Sequence, residues 1–414
     1  MNNIVSACGA EQGLITVDQA LDLIRDKTQV LATENLKLNQ ALNCYLAEDV
    51  YSSINLPLFS QSAVDGYALC AASTIEPNRS FALVGEIQAG HDSELQLTQG
   101  QAVRIFTGAK IPLGTTTVAR QEIVKIIDSS RIEITESLKA HTDIRDIGEE
   151  IAVGDLLASS GQQLSVGAIA SLSMAGIQTV NVFQYPKVAV VITGDEVAAS
   201  VENFAAGKIF DANAPLIQAW FQQQSQQVEI FHVADTEHAV TALVQTLSKS
   251  HDLILTTGGV SVGDYDFIRP VTLNLGFEQI FWKVKQKPGK PIFFATLQRA
   301  DHSACYLLGL PGNPAAVYMG MQIYTSTVLN ALQGQKQPPN WFSAVLTHDV
   351  KMDARERFLR MSASFDQSIL KVKSLSKQQS HMLSNLMQAN CLVRIPAGQT
   401  MLAGQIVQGL FIGP

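Results

Sequence analysis

Cysteine is scarce in this chain of 414 residues, and the five present are scattered. Cys8, Cys44, Cys70, Cys305 and Cys391 are odd in number and form no Cys-x-x-Cys pair. That pattern fits a reducing, cytoplasmic setting and speaks against a zinc or iron–sulfur centre. Long apolar runs are also missing: none approaches the ~20 residues of a membrane span. The start, "MNNIVSACGAEQGLITVDQ", has no basic segment followed by an apolar core, so no signal peptide is expected. Positive charge is in deficit, with 29 Lys and Arg against 37 Asp and Glu. The resulting net charge of −8 argues against a general nucleic-acid or anionic-membrane binder, without bearing on a local basic pocket. The eight histidines show no ligand spacing, and no low-complexity tract or fixed-period repeat is visible. What the chain does have is 46% hydrophobic residues and a length too great for one core, so about two to four domains are expected.

The texture changes along the chain. A helix is expected from Val17 to about Lys27, capped by Thr16, with Ala20, Leu21, Leu23 and Ile24 on one face. From about Tyr51 to Thr142, short apolar runs ("FALVGEI", "AVRIF", "TVARQEIVKII", "RIEIT") alternate with turn residues and predict a β-rich module. "LSVGAIASLSMAGI" predicts a helix between Ser165 and Gly176. From Lys187, strands ("KVAVVIT", "VEIFHV", "DLILTT", "QIFWKVK", "ACYLLGL") alternate with helices, among them "APLIQAWFQQQ", "EHAVTALVQTLSK", a segment after Asp264 and one after Pro314. Such alternation predicts a mainly parallel sheet with helices on both faces. After about Gln337, "FSAVLTHDV", "SILKVKSL", "NCLVRIP" and "QIVQGLFI" predict a separate small all-β domain.

Ligands of open parallel sheets bind beyond the carboxyl ends of the strands. Three such ends carry unusual loops: "VVIT" runs into Gly194, Asp195 and Glu196, "LILTT" into "GGVSVGDYD", and "YLLGL" into "PGNPAAV". Glycine lets backbone N–H groups approach an anion, and the helix start that follows adds partial positive charge. One such loop means little, because tight strand-to-helix turns need Gly and Pro anyway. Three on one sheet edge favour a binding site. Lys283, Lys285, Lys287 and Lys290 lie between them, and in a continuous strand the first three would share a face. They form either a lysine-guarded edge strand or a phosphate site, and the constrained turn "KPGKP" favours the latter. Carboxylates recur in turns at Asp65, Glu149, Glu150, Asp195, Glu196, Asp211, Asp264 and Asp266. Singly they are turn or cap residues; beside lysines and anion loops they would make a hard-cation site, such as Mg²⁺ held with substrate phosphates. Ser261 has no evident His base, so no nucleophile is assigned.

In order, "SAVDGYAL", "RIFTGAKIP", "DIRDIGEEI", "TGDEV", "FDAN", "TGGVSVGDYDF", "KPGKP" and "GLPGNPAAV" resemble the molybdopterin molybdenumtransferases, the family of bacterial MoeA and the gephyrin E domain. The resemblance implies an α/β multidomain protein. A three-layer α/β molybdopterin-binding domain with a mostly parallel sheet would span 13–32 and 183–332. An elongated linking domain would take 33–52 and 153–182, an inserted β-rich domain 53–152, and a C-terminal β-barrel 333–414. It implies a Mg²⁺-dependent reaction in which adenylylated molybdopterin and molybdate yield AMP and the molybdenum-loaded pterin. It also implies a homodimer whose cleft the partner subunit completes, and a contact with the molybdopterin adenylyltransferase. Carried over by motif, catalytic roles fall on Asp65, Glu196, Asp266, Lys283 and Lys287. Substrate binding falls on Thr107, Gly258, Gly259, Ser261, Gly263, Lys290, Pro311, Gly312, Asn313, Arg360 and Ser380, and metal binding on Glu150, Asp211 and Asp266. Four positions depart from the family pattern: Glu150 for Asp, Val64 for Met, Arg269 for Lys and Gln379 for Gly.

Two rival functions follow from the same features. The preceding adenylyltransferase step uses a similar α/β domain, but the inserted β module and the C-terminal β domain argue against it. A gephyrin-like scaffold role ranks lower, because nothing resembles gephyrin's additional N-terminal domain and linker.

Overall fold

The computed structural model describes residues 13–92, 94–194, 197–198, 206–224, 226–261 and 266–412. These divide into two compact units, one within 13–34, 43–47 and 182–412, the other within 35–42 and 48–181. None of the described helices is long and apolar enough to cross a membrane.

The first unit is built on a six-stranded sheet. Its strands lie in the order Glu229–Val233, Val188–Thr193, Leu253–Thr257, Ala304–Leu310, Phe293–Gln298 and Glu278–Trp282. The first four are parallel and the last two join antiparallel. Each central strand is a continuous apolar run because both of its faces are covered. Val188, Val190 and Ile192 enter one core with Leu253, Leu255, Tyr306, Leu308 and Leu310. Ala189 and Val191 enter the other with Ile254, Cys305 and Leu307. That split is the period-two alternation of a strand serving two layers.

The first layer contains the helix Val17–Lys27, which buries Val17, Ala20, Leu21 and Ile24. Thr16 caps it, with the Gln19 side chain returning a bond to the Thr16 backbone in a capping box. Asn213–Gln223 and the helical stretch from Pro314 to Leu332 share that layer. Glu237–Leu247, capped by Thr236, and Ile268–Asn274 cover the opposite face. Each fully buried aliphatic side chain contributes about 1.5–3 kcal/mol, so these two layers dominate the unit's stability.

The strands Phe342–Leu346, Glu356–Asp366, Ile369–Ser374, Cys391–Ile395 and Ile406–Phe411 close into a barrel, because Glu356–Asp366 pairs with both Ile369–Ser374 and Cys391–Ile395. A short strand, Gln286–Lys287, adds to Glu356–Arg357 in parallel and binds the barrel to the α/β part. The Arg394 guanidinium strengthens that join, donating to Asp18 of the first helix at 2.8 and 2.7 Å and to Glu356.

The second unit holds a six-stranded sheet in the order Thr117–Arg120, Gly66–Leu69, Gln101–Ile105, Arg79–Ile87, Arg131–Ile134 and Val124–Asp128. It also holds the helix Val166–Met174, capped by Ser165, with Gly176 at φ 79° just beyond its end. Gly66 is fixed by a close approach: a Cβ there would lie 2.0 Å from the Ala119 carbonyl oxygen. The "DG" of the first motif therefore serves strand pairing as well as the placement of Asp65.

Candidate active site

The three adjacent parallel strands ending at Thr193, Thr257 and Leu310 deliver their loops to one end of the sheet. Thr193–Gly194, Gly258–Ser261 and Pro311–Asn313 line two cavities of about 420 and 640 Å³ that share Gly258, Gly259, Asp266, Gly312 and Asn313. They are two lobes of one cleft. Gly258 and Gly259 sit at φ 89° and 66°, a region that costs an L side chain about 1–2 kcal/mol. A Cβ would lie 2.7 Å from Thr193 Oγ1 at Gly258 and 2.6 Å from Ile268 Cγ1 at Gly259. Both glycines are thus required by the turn itself. Gly312 differs, because a Cβ there would lie 3.6 Å from Gly258 Cα, an ordinary contact. Its missing side chain leaves the space between the two turns open.

The smaller lobe gathers positive charge. Lys287 and Arg355 line it, with Ser261, Gln378, Gln379 and Ser380. Lys287 Nζ lies 3.1 Å from Asp353 Oδ2. The Arg355 backbone N–H, which Asp353 Oδ1 accepts, and then Lys287 hold the Asp353 carboxyl below the usual carboxylate range, against some desolvation. The Arg355 guanidinium makes no hydrogen bond to a described residue and is available to an anion.

The expectation that Lys283, Lys285 and Lys287 share one strand face is corrected here. The strand ends at Trp282, and Lys283 takes a left-handed φ of 73°, which breaks the alternation. Lys283 instead lies over the Trp282 ring at 4.1 Å, with Arg269 also 4.1 Å from that ring. The Trp282 Nε1–H donates to the Val260 carbonyl at 2.9 Å, so this ring ties both cations to the glycine turn. Lys283 and Lys290 line neither lobe.

The larger lobe is acidic. Asp211, Asp235 and Asp266 line it beside the glycine turns. Asp211 Oδ1 accepts from the backbone N–H groups of Asn213 and Ala214 at 2.8 and 3.0 Å, fixing the start of a helix. Its Oδ2 lies 2.9 Å from His232 Nε2, and the side chain is only 8% exposed. The lobe's carboxylate oxygens are of the kind a hard cation takes, with both Asp211 oxygens already in contact with Asn213, Ala214 and His232. Among the described residues no three metal-ligating side chains form a cage. A Mg²⁺ ion here would need phosphate oxygens to complete its shell, as is usual for that ion.

Other expected site residues lie elsewhere. Asp65 and Thr107 meet in the second unit, where Asp65 Oδ1 accepts from the Thr107 backbone N–H and hydroxyl at 2.8 Å each. Those two bonds, the backbone one foremost, lower the Asp65 pKa. Glu150 is exposed in the same unit. Glu196 and Gly263 lie outside the described residues. Ser380 lines the smaller lobe, whereas Arg360 lines neither: it is 3% exposed and its guanidinium faces backbone carbonyls. Sequence reasoning missed Arg355, Asp235, Asn213 and His381 as cleft residues. Arg355 is one of three arginines in six positions, and nothing local separates it from Arg357 and Arg360.

A closed barrel, an inserted β module and an α/β core with its cleft at the strand ends define a multidomain α/β protein with a strand-end binding cleft, and family models match it segment by segment. The MoeA N-terminal region (domain I and II) matches residues 15–176, the probable molybdopterin binding domain 189–331, and the MoeA C-terminal region (domain IV) 343–411. A molybdopterin molybdenumtransferase of Haemophilus influenzae is 33% identical over 408 residues, covering 94% of this chain and 98% of that protein. One from Staphylococcus epidermidis is 33% identical over 402 residues, covering 95% and 94%. The structure of the molybdopterin biosynthesis moeA protein of Pyrococcus horikoshii OT3 shares the fold, with a TM-score of 0.81 at 24% identity over 96% of this chain and 100% of that one. The chain belongs to the MoeA family of molybdopterin molybdenumtransferases, enzymes of molybdenum cofactor biosynthesis.

Proposed function

We propose that the cleft takes adenylylated molybdopterin and molybdate, releases AMP and leaves molybdenum on the pterin's sulfurs. The observation that supports this is the meeting of three strand-end loops with a cationic lobe and an acidic lobe in one open cleft. Both reactants are anions. Two unit charges 4 Å apart repel by about 4 kcal/mol at an effective dielectric near 20, so bringing them together needs fixed countercharge. Lys287 and Arg355 supply it in the smaller lobe. Ser261, Asn313 and Ser380 offer neutral hydrogen-bonding groups beside them. Asp211 and Asp266 are the residues that would hold Mg²⁺, which when bound offsets phosphate charge. The turn at Gly258–Gly259 and the bare Gly312 let backbone approach the phosphates without a side chain intervening. Catalysis by these groups is positioning and electrostatics.

The remaining assignments belong to the same reading: Asp65, Glu196 and Lys283 as catalytic residues, Glu150 as a third metal ligand, and Thr107, Gly263, Lys290 and Pro311 at the substrate. So do the four-domain partition, a cytoplasmic homodimer whose partner chain completes the cleft, and a contact with the adenylyltransferase. The four described cysteines are free thiols, as a reducing compartment would keep them. An adenylyltransferase role is not favoured, because modules on both sides of the α/β domain match MoeA regions. Supplying the protein with molybdopterin and ATP, or with adenylylated molybdopterin, each with and without molybdate, tests the choice. Consumption of ATP would mark an adenylyltransferase. Consumption of neither nucleotide would leave a binding role.

A further inference from the structure

Residues 377–382, between the barrel strands Ile369–Ser374 and Cys391–Ile395, supply one wall of the cleft: Gln378, Gln379 and Ser380 in the smaller lobe, His381 in the larger. This stretch belongs to no helix or strand, so no ladder of its own holds it in place. Arg360, on the strand Glu356–Asp366, is 3% exposed. Its guanidinium donates to the carbonyls of Lys377 at 2.9 Å, Gln379 at 3.1 Å and Met382. The Gln378 side chain returns the contact, donating to the Arg360 carbonyl at 2.7 Å and accepting from its N–H at 3.1 Å. Among the described residues no carboxylate pairs with Arg360, so carbonyl dipoles alone compensate a buried charge. A planar fork of five donors reaches three divergent carbonyls in a way that the point charge of lysine does not. On its other side the stretch is tied to the α/β part, where the Ser380 carbonyl accepts from Ala315 N–H at 3.0 Å.

We propose that Arg360 is a positioning residue for the reaction, holding residues 377–382 as a strap against the Pro311–Pro314 turn without itself touching substrate. This rests on the reading of the cleft given above, which it deepens by making the barrel a working part of the site.

The test uses the full-length protein with Arg360→Lys, Arg360→Met and Asn385→Ala. Asn385 is a second, neutral anchor, whose Nδ2 donates to the carbonyls of Ser376 at 2.7 Å and Lys377 at 3.2 Å. Hydrogen exchange over 376–383 is measured without ligand, and AMP affinity by calorimetry. All three variants should exchange at least about tenfold faster over this stretch and bind AMP about tenfold more weakly, the Lys variant less affected than Met. KM should rise more than kcat falls. Unchanged exchange in the unliganded Arg360 variants, with AMP binding lost, would mean direct contact and overturn the proposal. Faster exchange with AMP affinity intact would overturn it too, since the strap would then be no part of the site. If the Arg360 variants fail to fold, Asn385→Ala decides by the same two readouts. Failure of wild type to bind AMP would count against the function proposed for the cleft, while the exchange data would still decide whether Arg360 holds the strap.

Discussion

Two glycines that face the same cleft should respond to alanine in opposite ways. At Gly259 the backbone sits at φ 66°, which costs an alanine about 1–2 kcal/mol. Its Cβ would also lie 2.6 Å from Ile268 Cγ1, and Ile268 is fully buried, so it has little room to retreat. Overpacking of that kind costs about 1–3 kcal/mol. Together the two terms give about 2–5 kcal/mol, or a drop in Tm of roughly 5–15 °C. At Gly312 neither penalty applies. The new methyl would make an ordinary contact with Gly258 Cα at 3.6 Å, and restricting the unfolded chain stabilises by about 0.4–1 kcal/mol. Gly312→Ala should therefore keep or raise Tm. The same methyl stands between the two turns, where backbone is proposed to approach phosphate. Losing a charge-assisted hydrogen bond there costs about 1.5–3 kcal/mol, ten- to a hundredfold in affinity. Calorimetric melting and AMP titration of both variants, side by side, read the two effects separately. Gly312→Ala melting as low as Gly259→Ala, or binding AMP like wild type, would refute these two roles.

Four further outcomes are expected. Lys287→Ala should weaken AMP or molybdate binding about ten- to a hundredfold with little change in Tm, and excess Mg²⁺ should not restore it. Asp353→Asn should hold or raise molybdate affinity, since it removes the negative charge beside Lys287 while the amide oxygen can still accept from Arg355 N–H; a marked loss would show that the ion pair is what places the lysine. Asp266→Asn should shift the Mg²⁺ titration of activity to higher concentration, with partial recovery at excess; an unchanged titration would remove Asp266 from the metal's ligands. The fourth perturbation is acid. The Arg394 hydrogen bond keeps the Asp18 pKa low, so its stabilisation is present above the ordinary aspartate value near 4 and is lost as pH falls through the lowered one. Melts taken downward from pH 5 should fall more steeply for wild type than for Asp18→Asn, by a small margin because Asp18 is 64% exposed, and parallel curves would remove this linkage.

Local signals carried much of this architecture. The Thr16 cap and the apolar face of Val17–Lys27 were readable, as were Ser165 and Gly176 at the two ends of one helix, whereas the Gln19 side of the capping box was not read from the sequence. So was the arrival of three loops at one sheet edge, because buried parallel strands advertise themselves as continuous apolar runs. Contacts between distant segments left no such trace. The alternating lysines after Trp282 have a strand's period, yet the backbone turns left-handed at Lys283 so that Gln286–Lys287 can pair with the barrel. The strand Glu356–Asp366 has no clean alternation, since Phe358, Leu359, Arg360 and Met361 are all buried in a row. Arg360 resembles a substrate-binding residue by motif, and only the carbonyls of residues 377–382 show what its guanidinium touches.

On the proposed function, this chain couples cleavage of adenylylated molybdopterin to the arrival of molybdate. The most direct test is to follow AMP release from adenylylated molybdopterin while molybdate is titrated at fixed Mg²⁺. Almost no AMP is expected without molybdate, and with it AMP release matched mole for mole by molybdenum retained on the pterin. AMP release at the same rate whether or not molybdate is present would contradict it.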